Sequence, residues 1–218
     1  MADGALASAA AAKQISLDDL DIAVIIPCMN EEIAIGGMVR KLRELLPHSR
    51  IFVYDNNSTD DTVGEAERAG AIVRREKRQG KGFVVRRMFA DIDADIYMMV
   101  DGDNTYDIDA APKLIQTLVD DGLDMVNGAR KAVVEEAYRP GHAMGNKVLT
   151  EIMRRLFGKG FSDIFSGYRI FSRRFVKSFP VMSRGFEIET ELTVHALELE
   201  MPFDEIETDF RDRPSGSE

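Results

Sequence analysis

The sequence predicts an α/β fold organised around a mostly parallel, doubly wound sheet flanked by helices, and three features lead there. Short apolar runs of strand length recur at residues 22–28, 51–54, 71–73, 96–100 and 125–128. Segments of helical length separate them, giving the β-α-β-α-β-α-β-α-β alternation of crossover-connected parallel strands. The runs end in polar residues, at the strand ends where an open α/β sheet presents ligand-binding groups.

The first run is continuous and closed by Pro27, the pattern of a strand buried on both faces. Asn30 is expected to cap the next helix, with Glu31 and Glu32 in its first turn and Leu42, Leu45 and Leu46 near its end. The second strand ends at Asp55-Asn56-Asn57-Ser58; Thr59 or Asp60 caps the helix after it, which stops at Gly70 in a C′ position. A short third strand precedes Arg78-Gln79-Gly80-Lys81-Gly82 and a helix through Phe89. The fourth strand runs into Asp101-Gly102-Asp103-Asn104, and a helix over 112–119 leads to the fifth strand.

After Arg130 the rhythm changes. Residues 131–141 are charged and irregular. Over 144–157 Met144, Val148, Leu149, Ile152, Met153, Leu156 and Phe157 recur at helical spacing, with Arg154, Arg155 and Lys159 beside them. Such a stripe suits a helix packed on the core, or a basic amphipathic helix lying on a membrane surface. A strand over 168–171, a helix over 186–199 and a strand over 203–208 complete the expected fold. Residues 1–20 read as a flexible tail and 21–218 as a single domain.

Composition excludes several classes. With 218 residues and a 44% hydrophobic share, the chain can bury one substantial core. A formal charge of -10 argues against nonspecific nucleic-acid binding, which needs a basic field. The single cysteine, Cys28, rules out an intramolecular disulfide, and in an apolar strand end it reads as packed rather than nucleophilic. His48, His142 and His195 show no zinc-ligand spacing. No segment approaches the roughly 18 apolar residues of a membrane span, so the chain is expected to be soluble or membrane-peripheral.

The chemistry concentrates at Asp101-Gly102-Asp103. Two carboxylates one residue apart repel unless a cation or donors lie between them. Oxygen-only ligands favour Mg²⁺ or Mn²⁺ shared with substrate phosphates; the alternative is an ordinary polar turn. Lys81, between two glycines at a helix start, suits a phosphate. The P-loop spacing is absent, and so is a G-x-G-x-x-G after the first strand.

Taken in order, P-C-M-N-E-E (27–32), D-N-N-S-T-D-D-T (55–62), G-K-G (80–82) and V-D-G-D-N-T-Y-D (100–107) resemble the inverting family 2 glycosyltransferases of GT-A fold. S-G-Y-R-I-F (166–171), G-F-E-I-E-T-E-L (185–192) and the R-x-R-P-S-G-S-E end are similar to the branch of polyprenyl-phosphate hexosyltransferases typified by dolichyl-phosphate mannose synthase. The resemblance implies a metal-dependent hexose transfer, with inversion, from a nucleotide-diphosphate sugar to a polyprenyl phosphate. It divides the domain into a nucleotide-sugar half, 21–130, and an acceptor and membrane-side half, 131–218.

By position, Pro27, Asn30, Glu31 and Asp55 would hold the nucleoside, and Lys81 and Gly102 would join them at the donor. Asp101 and Asp103 would carry Mg²⁺ or Mn²⁺. Arg130 and Arg211 or Arg213 would neutralise phosphates, and Ser166 and Arg169 would line the acceptor side. Asp103, Arg130 and Arg169 are thus the expected catalytic set. A phosphate acceptor needs little base; a hydroxyl acceptor would call on Glu187, Glu189 or Glu191. The chain departs from the family at D-N-N-S, where D-D-G-S is frequent, and at Thr105, where the mannose synthases often have Gln. The implied partners are a nucleotide sugar and a membrane surface, with no nucleic acid and room for a homo-oligomer, at the cytoplasmic face. A soluble transferase acting on a small acceptor such as phosphoglycerate, or a non-catalytic nucleotide-sugar-binding module, are the competing expectations.

Overall fold

The computed structural model describes residues 16–132 and 161–213. The apolar stripe over 144–157, its basic neighbours, and residues 1–15 of the tail expected over 1–20 lie outside the described residues, as does the end of the chain after Arg213. The rest of that tail is not loose: Leu17–Asp19 form a 3-10 turn, and Leu17 and Leu20 pack against the core.

Seven strands form one sheet: β1 (Ile22–Cys28), β2 (Arg50–Asp55), β3 (Ile72–Arg75), β4 (Ile96–Met99), β5 (Met125–Ala132), β6 (Arg169–Ser172) and β7 (Phe203–Phe210). Their spatial order is β3-β2-β1-β4-β6-β5-β7. All neighbours are parallel except β6, which runs antiparallel to both β4 and β5. The chain order reverses at β1 and β4, and the ends of those two strands form the crevice where doubly wound sheets bind ligands.

Among the described residues six helices cover the sheet: α1 (Ile35–Leu45), α2 (Thr62–Arg68), α3 (Lys81–Asp91), α4 (Ala111–Asp120), α5 (Arg173–Ser178) and α6 (Ile188–Glu198). Alternation along β1 sends Val24, Ile26 and Cys28 to one face and Ala23 and Ile25 to the other, as a doubly covered strand requires. On the first face they meet Ile35, Val39 and Leu42 of α1 and Leu114 of α4. On the second they meet Val85 and Met88 of α3, Phe175 of α5 and Leu192 of α6. Each fully buried side chain of this size contributes roughly 1.5–3 kcal/mol. Among the described residues no helix is long and apolar enough to cross a membrane.

The cap position of α2 falls on Asp61 rather than on Thr59 or Asp60, and two further local expectations are corrected. Asn30 does not cap α1; it adopts φ 57, and the helix begins at Ile35 after a turn. The Asn30 amide N–H instead donates to Ser58 Oγ at 2.9 Å, and its Oδ1 accepts from the Thr59 N–H at 2.8 Å, tying the β1 and β2 ends together. α5 has no counterpart among the expected elements, because six residues are too few for a helical period to declare itself. Ser172 caps it, with Oγ accepting from the Phe175 N–H.

Candidate active site

A cavity of about 230 Å³ opens over the ends of β1 and β4. Cys28, Glu31, Asn56, Lys81, Asp101 and Asp103 are among the residues that line it, with Phe186 and Arg213 at its rim. Gly102 lies on its floor, where any Cβ would collide with Cys28 Sγ. Cys28 is buried, and burial, aided by the negative charge of Glu31 and Asp101, pushes its thiol well up, away from the thiolate form a nucleophile needs.

Three carboxylates crowd this crevice, and cations from distant elements balance them. Asp103, 8% exposed, accepts from the Thr105 hydroxyl at 2.7 Å and backbone N–H at 3.2 Å through Oδ1. Its Oδ2 accepts from Arg213 Nε at 3.0 Å. Asp101 pairs with Lys81, which also bonds Glu189 of α6 at 2.5 Å. Burial alone would push the Lys81 ammonium down, but Asp101 and Glu189 more than reverse this and hold it charged. Glu31, 5% exposed, has Oε1 3.8 Å from Arg213, while Oε2 has no hydrogen-bond partner among the described residues. Burial pushes its carboxyl up to about 7; Arg213 opposes that and Asp103 and Asp101 add to it.

The route of Arg213 to the site is tertiary. β7 pairs with β5 along its whole length, and the chain after it returns to the D-G-D loop. There the Arg211 N–H donates to Thr105 O at 2.9 Å, and Tyr106 bridges Phe210. Arg211 itself is exposed.

The glycines of G-K-G admit protein backbone rather than only a ligand. A Cβ on Gly80 would meet the Arg184 carbonyl oxygen, one on Gly82 the Ser183 carbonyl oxygen, and the Gly82 N–H donates to Arg184 O at 3.1 Å. The loop before α6 therefore rests on the start of α3, which seats Lys81 against Glu189.

Of the donor-side residues, Pro27, Glu31, Lys81, Asp101, Gly102 and Asp103 line the cavity, whereas Asn30 and Asp55 stand behind it. Asp55 is buried, with Oδ1 accepting from the Ser58 N–H at 3.2 Å. Asn56 faces the cavity instead, although an asparagine in such a cluster reads from sequence as a turn former. Its Nδ2 donates to Glu76 O and Arg78 O at 2.9 and 2.8 Å, and its Oδ1 accepts from the Gly80 N–H at 2.8 Å. A carboxylate there would place oxygen against two carbonyls, which accounts for Asn rather than Asp at position 56.

The placement expected for the acceptor-side residues is corrected. Ser166 is fully buried, its hydroxyl donating to Gly128 O at 2.6 Å. Arg169 is also fully buried, donating to Ser166 O at 2.9 Å and Ile164 O at 2.8 Å, with the Phe161 ring 5.9 Å away. Its position on β6 sends the side chain into the second core, on the same face as Phe171. Together they fix the turn that sets Gly167 against the Asp101 carboxylate, where a Cβ would not fit. Arg130 is clamped by Asp163 through a bidentate pair at 2.6 and 2.8 Å.

The candidate bases on and before α6 are all engaged. Glu189 is held by Lys81, Glu191 accepts from the Met182 and Ser183 N–H groups at 2.6 and 2.8 Å, and Glu187 accepts from the Gly185 N–H at 3.0 Å. Although burial pushes Glu191 up, its hydrogen bonds to Ser183 and Met182 outweigh that and leave its carboxyl below the ordinary range.

Comparison with known proteins bears on this crevice. The family model described as "Glycosyl transferase family 2" matches residues 23–179. Glycosyltransferase AglJ of Haloferax volcanii is 34% identical over 203 residues, covering 90% of this chain and 65% of that protein. The chain thus spans just under two thirds of that relative. The dolichyl-phosphate hexose transferase of the same organism is 29% identical over 153 residues, 70% of this chain and 67% of that protein. Among solved structures, glucosyl-3-phosphoglycerate synthase from Mycobacterium tuberculosis superposes with a TM-score of 0.74 at 24% identity. The match covers 91% of this chain and 74% of that one, which was solved with Mn²⁺, uridine diphosphate and phosphoglyceric acid. This last likeness shows the fold.

Proposed function

This chain belongs to glycosyl transferase family 2, and from that premise we propose that it transfers a hexose from a nucleoside diphosphate sugar to a polyprenyl phosphate at the cytoplasmic face of a membrane. The observation that carries the donor half is the carboxylate crevice at the β1 and β4 ends, whose charge is countered, among the described residues, by side chains brought in from α3 and from beyond β7. Such a site takes a cation readily.

Asp101 and Asp103 would hold Mg²⁺ or Mn²⁺: the donor set is hard oxygen, and beside it the buried Glu31 Oε2 has no hydrogen-bond partner among the described residues. Among the described residues no three His, Cys, Asp or Glu side chains form a metal cluster on their own, so donor phosphates and water would complete the shell. A bound cation would supply charge stabilisation to the departing diphosphate. Lys81 keeps its positive charge at the same end of the cavity, and the half-exposed Arg213 would exchange Asp103 for a phosphate oxygen.

For the acceptor, the engaged state of Glu187, Glu189 and Glu191 supports a nucleophile that arrives already anionic. A phosphate oxygen needs no base; a sugar or glycerate hydroxyl would need one of these carboxylates released. The likeness to the Haloferax dolichyl-phosphate hexose transferase and the basic amphipathic pattern over 144–159 support a lipid carrier. The test is a panel of uridine and guanosine diphosphate hexoses with Mn²⁺, offered a polyprenyl phosphate or 3-phosphoglycerate. Sugar extracted with the lipid is the expected result. Transfer to phosphoglycerate with none to the lipid would overturn the acceptor assignment.

A further inference from the structure

One end of the cavity carries a hydrogen-bond relay that the transfer chemistry does not use. The Lys77 carbonyl oxygen can only accept, and Asn57 donates to it through Nδ2 at 3.1 Å. That contact fixes which way the Asn57 amide points. The same Nδ2 donates to Gln79 Oε1 at 2.9 Å, which fixes the Gln79 amide in turn. The Gln79 NH₂ group is therefore the end that faces Met29, with Nε2 2.9 Å from Sδ. A thioether sulfur is a weak acceptor, so a good donor is held against a poor partner. Met29 and Gln79 line the cavity from the loops that follow β1 and β3.

Backbone contacts hold the loops that carry the relay, although its side chains are exposed. Asn57 sits at φ 67, a left-handed conformation that asparagine tolerates. Its neighbour Asn56 pins the Glu76, Arg78 and Gly80 backbone of the loop that carries Gln79. Rotation of the Gln79 amide would turn its Oε1 away from Asn57 and set NH₂ against NH₂.

We propose that Gln79 reads the nucleobase of the donor, its Nε2 hydrogens leaving the Met29 sulfur for a ring carbonyl oxygen, O4 of uracil or O6 of guanine. The amino group that cytosine or adenine presents at that edge meets donor with donor and is rejected. This inference rests on the donor assignment above, in which the diphosphate lies against Asp101 and Asp103 and the base falls to the Met29 end. Asn57 is the positioning residue, acting on the base only through Gln79.

Calorimetric titration of the full chain with UDP, GDP, CDP and ADP, each with Mn²⁺, tests it. The wild type is expected to bind UDP or GDP at least about tenfold more tightly than CDP and ADP, the scale of one well-placed hydrogen bond. Gln79→Glu replaces the donor by an acceptor while still accepting from Asn57; that preference should collapse or reverse at an unchanged melting temperature. Asn57→Ala frees the amide to turn and should bring the four nucleotides towards parity, with a smaller loss for the favoured one. A wild-type protein that binds its nucleotides while either variant keeps the original ratio overturns the role of Gln79 alone. A wild type that binds none of the four with metal overturns the donor assignment and this inference with it.

Discussion

The two sides of the sheet use charge in opposite ways. Around β1 and β4, Glu31, Asp101 and Asp103 face a cavity and are countered by Lys81 and Arg213, each anchored on another element. Around β5 and β6, Arg130 closes a bidentate pair with Asp163, and Arg169 spends its donors on the Ser166 and Ile164 carbonyls inside the core. Charge facing a cavity, with a half-exposed arginine as its counterion, can be handed to a ligand. Charge sealed under aromatic rings cannot move without unfolding its surroundings. Family motifs fall on both sides, so motif membership alone does not separate the residues that react from those that frame the site.

The sharpest way to break this comparison is to neutralise one carboxylate of the open side. Asp103→Asn keeps the Thr105 contact and removes the charge that faces Arg213. Transfer is expected to fall by about a thousandfold or more, the scale of losing a group that stabilises developing charge, while the melting temperature holds. A variant that retains full activity, or a wild type indifferent to chelator, would remove Asp103 from the reaction.

Arg169→Met asks the reverse question of the closed side. It leaves two buried carbonyls without their donor at similar side-chain volume, and should cost about 2–4 kcal/mol in denaturant unfolding. Activity per folded molecule should stay within a few-fold. Loss of transfer at wild-type stability would return Arg169 to the acceptor and erase the distinction between the two sides.

The smallest effect is a pH dependence carried by Glu31. Its carboxyl lies above its ordinary value, at about 7 in the folded chain, so between about 5 and 7 the native state binds more protons than the unfolded state. Stability should therefore fall as pH rises through that window, by on the order of 2–3 kcal/mol. Glu31→Gln should flatten the curve, melting higher than wild type at pH 8 and no higher at pH 5. Parallel melting curves for the two proteins across that range would show Glu31 already compensated.

Much of this was legible in the residues. Apolar runs closed by Pro27, Asp55 and Asp101 declared β1, β2 and β4, because a strand covered on both faces must be apolar throughout its length. The carboxylate pair of the D-G-D segment announced itself through its own repulsion. Ser166 and Arg169 could not be placed in the same way. A buried arginine and an exposed one are the same letter, and only the antiparallel insertion of β6 between β4 and β5 decides which face it takes.

Sequence by itself determined the local alternation of strands and helices, the polar strand ends and the closeness of the Asp101 and Asp103 carboxylates, all of which depend on neighbours within a few residues. Tertiary structure decided the rest. It set the order of the strands, the meeting of Lys81 with Glu189 across 108 positions, and that of Arg213 with Asp103 across 110. It also decided that the glycines around Lys81 admit the Ser183 and Arg184 backbone. Contacts of that span are fixed by how whole faces pack and by which backbone can approach which, and no period or spacing along the chain encodes them.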